Sequence, residues 1–324
     1  LLKEKLNLKM VRKIDELLNR ISSGLLKNSA AKSRDSLIFC YEVIQDVYNS
    51  NKPQAKVKED YRLKKYLIQK GAKRGSNQGS TTVYTYKLIR FSFDVLRAVL
   101  KKHDNLRVAS NLTGFVPIIG DAIVQGEEEI KISAFRLLTT IVKVQMKATH
   151  DGSNLYKVAA AEALRSINAS SSTTSDVSQA GLKLVSVILR DRNDVQIKDS
   201  AVDGLLSRLR EDMTDPERRH VTFNFLRAVL DSKLESAVVY DTMDYVGTVM
   251  VTNDDKDTRD LARGAYFQFL REYPQKKNRW QKQLAFIVAN LNYEREGGRL
   301  SILEVLHLLL SKSSNDFIDR KSVV

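Results

Sequence analysis

The chain is poor in the residues that punctuate β-structure and cross-link small domains. It has four prolines and fourteen glycines in 324 residues, too few turn-formers for a sandwich or barrel of short strands. The single cysteine, Cys40, excludes an internal disulfide. It sits inside the apolar run LIFCYEVI, which reads as a buried thiol of a reducing compartment and not as a reactive nucleophile. Long hydrophobic runs are missing too. The most apolar stretches, 115–124 and 302–310, are interrupted by Asp121, Glu304 and His307, whereas a membrane span needs about 20 apolar residues. No signal peptide is visible, and a chain that opens on Leu1 reads as a piece of a longer protein.

Chemistry is scarce as well. His103, His150, His220 and His307 stand apart from one another and from Cys40, so no zinc-ligand spacing arises. His307 lies on an apolar helix and reads as a core or groove histidine. There is no nucleophile elbow. The stretch 71–79, GAKRGSNQG, is Gly-rich and basic but lacks the Walker spacing. The acidic run 127–129 reads as the charged start of a helix, where it complements the dipole. Neither an enzyme nor a cofactor or metal site is expected.

What the chain does contain is a repeat. A five-residue core starts at Leu96, Leu138, Val185, Leu226, Leu270 and Leu306, with starts 42, 47, 41, 44 and 36 residues apart. Three positions before each start stand Phe93, Phe135, Leu182, Phe223, Phe267 and Leu303. One position before stand Val95, Leu137, Leu184, Phe225, Phe269 and Val305. Three after stand Val99, Ile141, Ile188, Val229, Tyr273 and Leu309. Offsets of −3, 0, +3 and +4 line one helix face, and this period is that of two-helix solenoid repeats. The fold expected is all-α, a HEAT/armadillo-type solenoid of about seven helix pairs. Such proteins work by surface and shape.

Three segments follow from this pattern. Residues 1–49 hold a first helix pair. Residues 50–81 break the period and read as a basic, flexible insert. Residues 82–324 form a continuous array, cut off inside its last pair. The pairs expected are 82–103 with 105–125, 127–146 with 153–167, 175–190 with 194–210, 214–232 with 235–251, and 257–273 with 277–290. Thr214 is expected to cap a helix with Pro216 at its first position, and Pro274 to end one.

Charge is uneven. The net charge is +14. Residues 1–150 carry 28 Lys and Arg against 14 Asp and Glu, whereas 151–324 carry 25 of each. Half of the excess lies in 51–74, in Lys52, Lys56, Lys58, Arg62, Lys64, Lys65, Lys70, Lys73 and Arg74, beside Tyr61 and Tyr66. Charge of this density can neutralise phosphates with steep salt dependence, although a solvated linker or a localisation signal has the same composition. A second basic group, Lys276, Lys277, Arg279, Trp280 and Lys282, opens a helix. An aromatic among cations can stack on an unpaired base, or Trp280 can simply pack between repeats.

The segment 261–312 contains FQFL-x-x-YP, a Lys-rich helix start, NLxYExxxGR and SxxEVxHLLLxK. This combination resembles the down-regulated-in-metastasis family, the giant HEAT-repeat components numbered twenty among the U-three proteins of the small-subunit processome. Upstream, the resemblance lies in layout more than in identical residues, and it points to a portion toward the C-terminal part of a longer protein. It implies a nucleolar, non-enzymatic scaffold that contacts pre-18S rRNA, the U-three small nucleolar ribonucleoprotein and other processome assembly proteins. The family has no catalytic residues to carry over, and neither a small-molecule substrate nor a membrane is implied. The alternative from a different class is a protein-only adaptor, such as a transport-receptor-like solenoid.

Overall fold

A computed structural model describes residues 79–144, 154–275 and 279–312. Among them every regular element is helical, as the scarcity of turn residues and the helical period require. The chain divides into two compact units, 1–166 and 167–324.

In the first unit, α1 (Gly79–Lys102) packs along α4 (Glu128–Ile141), and α3 (Val116–Gln125) folds back on α4. The stripe residues Phe93, Leu96 and Val99 of α1 and Phe135, Leu138 and Ile141 of α4 are buried. Between α1 and α3 the expected single helix is broken. Short 3-10 turns flank α2 (Ala109–Leu112), and Pro117 enters α3 at its start, where its missing N–H costs no helical hydrogen bond. The Arg107 side chain closes α1, its Nε donating to the carbonyl of Leu100 at 2.6 Å. In the first turn of the α5 helix (Leu155–Ala169) stands Tyr156, whose hydroxyl donates to the carbonyls of Ile141 (2.7 Å) and Val144 (3.2 Å). These bonds tie the start of α5 to the turn that follows α4.

The second unit runs through α6 (Asp176–Asp191), α7 (Asp199–Leu209), α8 (Arg219–Ser232), α9 (Ala237–Thr252), α10 (Lys256–Glu272), α11 (Arg279–Ala289) and α12 (Glu296–Lys312). The stripe helices stack in order, α6 on α8, α8 on α10 and α10 on α12, while α7 and α9 form a second layer. Neither layer could bury its apolar face alone. Ser175, Ser236 and Asp255 cap α6, α9 and α10 by accepting from the backbone N–H of Ser178, Val239 and Thr258 at 3.3, 3.2 and 2.7 Å.

Three local expectations change. Helix α8 starts at Arg219, not beside Thr214. A 3-10 turn, Glu211–Thr214, and a further turn precede it, and Asp215 accepts there from the N–H of Glu217 at 2.9 Å. The closest hairpin is also not the one expected. Helix α9 packs far more extensively on α10 than on α8. Finally, His307 is exposed on α12, not in a core.

Candidate nucleic-acid interface

Helix α11 carries the described part of the second basic group, of which Trp280 is buried, Arg279 is half-buried and Lys282 is exposed. Trp280 is only 6 % exposed, so its ring packs as core and is not offered to a base. The Arg279 guanidinium carbon lies 3.5 Å from the centroid of the Tyr240 ring on α9, a cation–π contact. Lys282 donates to Asp244 at 2.6 Å. Gln283 Nε2 donates to the other oxygen of Asp244 at 3.1 Å, and Gln283 Oε1 accepts from the buried hydroxyl of Tyr266 at 2.6 Å. Burial first, then the nearby Asp244 charge, pushes the Tyr266 hydroxyl above its ordinary pKa, so it remains a donor.

This polar chain links α10, α11 and α9 around a small cleft of about 180 Å³ lined by Asp244, Gly247, Thr248, Tyr266, Lys282, Gln283 and Phe286. The residues RW-x-K of α11 therefore clamp one helix onto its neighbour. Lys276 and Lys277 lie outside the described residues, as do Lys52, Lys56, Lys58, Arg62, Lys64, Lys65, Lys70, Lys73 and Arg74.

A second polar system was not expected from the sequence. Arg219, at the start of α8, is 8 % exposed. It pairs with Asp255, donates to Thr258 Oγ1 at 2.7 Å, and reaches Asp257 at 3.3 Å. Backbone and hydroxyl donation from Thr258, then Arg219, hold the Asp255 carboxyl below its usual range. The next turn repeats the idea. Arg295 pairs with Asp254, Arg259 donates to the carbonyls of Asn253 and Asp254 at 2.9 and 2.8 Å, and Arg299 donates to those of Tyr293 and Glu294 at 2.8 and 2.9 Å.

Partners across these links stand one repeat apart: Arg90 with Glu129, Arg208 with the Ser170 carbonyl, Arg227 with Gln268, and Tyr240 with the Pro274 carbonyl. Among the described residues, no group of three or more His, Cys, Asp or Glu is placed to hold a metal ion.

Stacked helix layers, cross-tied at one period and carrying their chemistry on surface and turns, define an all-α HEAT-like repeat protein. Comparison with known proteins narrows this class. Residues 1–44 match the family described as the U3 small nucleolar RNA-associated protein 20 domain. Over 311 residues, 95 % of the chain, it is 37 % identical to U3 small nucleolar RNA-associated protein 20 of Schizosaccharomyces pombe. Over 327 aligned residues, 99 % of the chain, it is 34 % identical to the protein of the same name from Saccharomyces cerevisiae. The chain spans only 12 % and 13 % of these relatives. The resemblance read from 261–312 thus extends along nearly the whole chain.

Proposed function

We propose that this chain is a segment of a non-catalytic scaffold of ribosome biogenesis, acting in the small-subunit processome in the nucleolus. The observation that carries the reading is the similarity, along nearly the whole of this chain, to parts of two proteins named for association with U3 small nucleolar RNA. The repeat architecture supports it, since a stacked array offers long surfaces to several partners at once. On this reading the partners are pre-rRNA, the U-three small nucleolar ribonucleoprotein and other assembly proteins. The 40S precursor is processed by other factors that the scaffold holds in place.

RNA attraction is assigned to the basic N-terminal half, chiefly Lys52 to Arg74. The described arginines of α8 to α12 engage carboxylates, carbonyls and rings of the protein itself, which fits the electrical neutrality of 151–324. Removing residues 51–74 is expected to weaken binding to single-stranded RNA. It should also flatten the log–log salt dependence by up to about 0.7 for each phosphate that is no longer neutralised. An unchanged salt slope would take the segment out of the interface. The second reading, a protein-only adaptor, draws on that same neutrality, and it gains if the intact chain captures folded proteins but gives no RNA crosslinks in cells.

A further inference from the structure

Helix α12 is apolar on two sides. Gly298, Ser301, Ile302, Val305 and Leu309 are buried, and the helix packs on α9 and α10. On the opposite side Leu300, Leu303 and Leu310 are 50 %, 51 % and 65 % exposed, with exposed His307 between the last two. Steps of three, four and three residues keep these four side chains in one stripe along the helix. Among the described residues only two other large apolar side chains, Val108 and Val288, are exposed. The stripe is thus a concentration and not the usual scatter of single apolar residues.

Helix α8 shows what an outer side holds when it stays in water. It packs on both α6 and α10, and its exposed residues at helical spacing are His220, Asn224, Arg227 and Asp231. Counted from the stripe starts Leu226 and Leu306, Leu300 stands where α8 has His220, and Leu310 where α8 has the buried Leu230. Apolar residues on opposite sides of one helix mark a helix that is covered on both.

The chain itself supplies a cover. Residues 313–324, SSNDFIDRKSVV, follow α12 directly and lie outside the described residues. Ser313, Ser314, Asn315 and Asp316 are turn-forming types, and Phe317, Ile318, Val323 and Val324 are apolar. From Leu300 to Leu310 the stripe runs about 15 Å at the rise of an α-helix. Residues 317–324 can span about 12 Å as a helix and up to about 26 Å extended. A reversal at 313–316 therefore brings enough chain back along the stripe to cover it.

We infer that residues 313–324 fold back over the outer side of α12, with Phe317 and Ile318 on Leu310 and Leu303 and the two valines toward Leu300. The stripe is then an internal joint, closed by the protein's own chain and withdrawn from partner proteins. This joint does not depend on the scaffold or RNA reading above.

The test is photo-crosslinking in the full chain, with Phe317 replaced by p-benzoylphenylalanine. Unlabelled and isotope-labelled chains are mixed in equal amounts before irradiation, and the adduct is mapped by mass spectrometry. The expected adduct joins position 317 to residues 300–310 within one chain. Adducts between labelled and unlabelled chains would overturn the inference in favour of a second copy. Adducts on another helix, or none, would overturn it and leave the stripe to a partner protein. A second measurement is hydrogen exchange of the full chain carrying Leu303→Ser, at a position outside the α12 core face, or Phe317→Ser/Ile318→Ser. Exchange along 300–310 is expected to rise about tenfold or more in both, with α8 unchanged, because covered leucine surface returns to water. Wild-type exchange along α12 in both variants would show that 313–324 does not cover it.

Discussion

Lys233 ends α8 at a φ of 54°, in the left-handed conformation that brings its Cβ close to the following carbonyl, at a cost of about 1–2 kcal/mol for an L-residue. Lys233→Gly relieves that crowding, although it also frees the unfolded chain. The expected net result is a gain of about 1 kcal/mol, read as a higher denaturant midpoint with unchanged slope. A lower midpoint would show that the lysine side chain stabilises the fold. At this same scale the sequence spoke well about composition and poorly about partners. Trp280 among cations suggested a base platform, yet the ring is buried and the neighbouring Arg279 and Lys282 meet Tyr240 and Asp244. Those partners come from a helix about one period away, and nothing local in 276–282 specifies them.

Helix α12 meets both α9 and α10, and its close approach depends on Gly298. A Cβ there would stand 2.5 Å from Tyr293 Cδ1 and 2.5 Å from the carbonyl oxygen of Val251, and the backbone carbonyl cannot swing aside as a side chain can. Gly298→Ala is therefore expected to cost about 1–3 kcal/mol by overpacking. The loss should concentrate in α12, seen as faster hydrogen exchange there than in α8. Uniform exchange would mean that α12 does not open on its own.

Element-scale structure was the most legible part. The first four copies of the stripe are buried at every offset from −3 to +3 that the periodicity singled out. In α10 and α12 the face is turned by one residue. Tyr266 and Ile302 are buried, whereas Phe267 is half-buried and Leu303 is 51 % exposed. Both helices place two bulky apolar residues side by side, and one residue is a rotation of about 100°, so spacing alone matches two adjoining faces. The −1 and +3 positions, from Val95 and Val99 through Val305 and Leu309, are buried in all six copies. They are the part of the pattern that fixes the face.

At the scale of the molecule, stability combines apolar stacking with polar ties between repeats, and one of those ties titrates. Asp255 has a folded-state pKa below its ordinary value. Its contribution is complete above the unfolded value of about 3.9 and is lost as pH falls through the lowered folded value. Asp255→Asn keeps an N-cap but removes the charge facing Arg219. The variant should be less stable at neutral pH, and its stability should fall less between about pH 5 and pH 2. Equal acid dependence in both proteins would remove this carboxylate from the acid limb. The basic surplus of residues 1–150 was legible from counting alone. The engagement of arginines within 167–312 was not, since pairing depends on which turns the stack brings together.

The cross-repeat ties also set an order in time. Arg208 waits on nothing made after it, because the Ile167 and Ser170 carbonyls it binds precede it in the chain. Arg219, by contrast, finds Asp255 36 residues later, and Arg227 finds Gln268 41 residues later. During synthesis at about 5–20 residues per second, α8 therefore emerges with a buried-type guanidinium still unmatched for several seconds. Each stripe helix is completed only by its successor, so folding must trail elongation by one repeat.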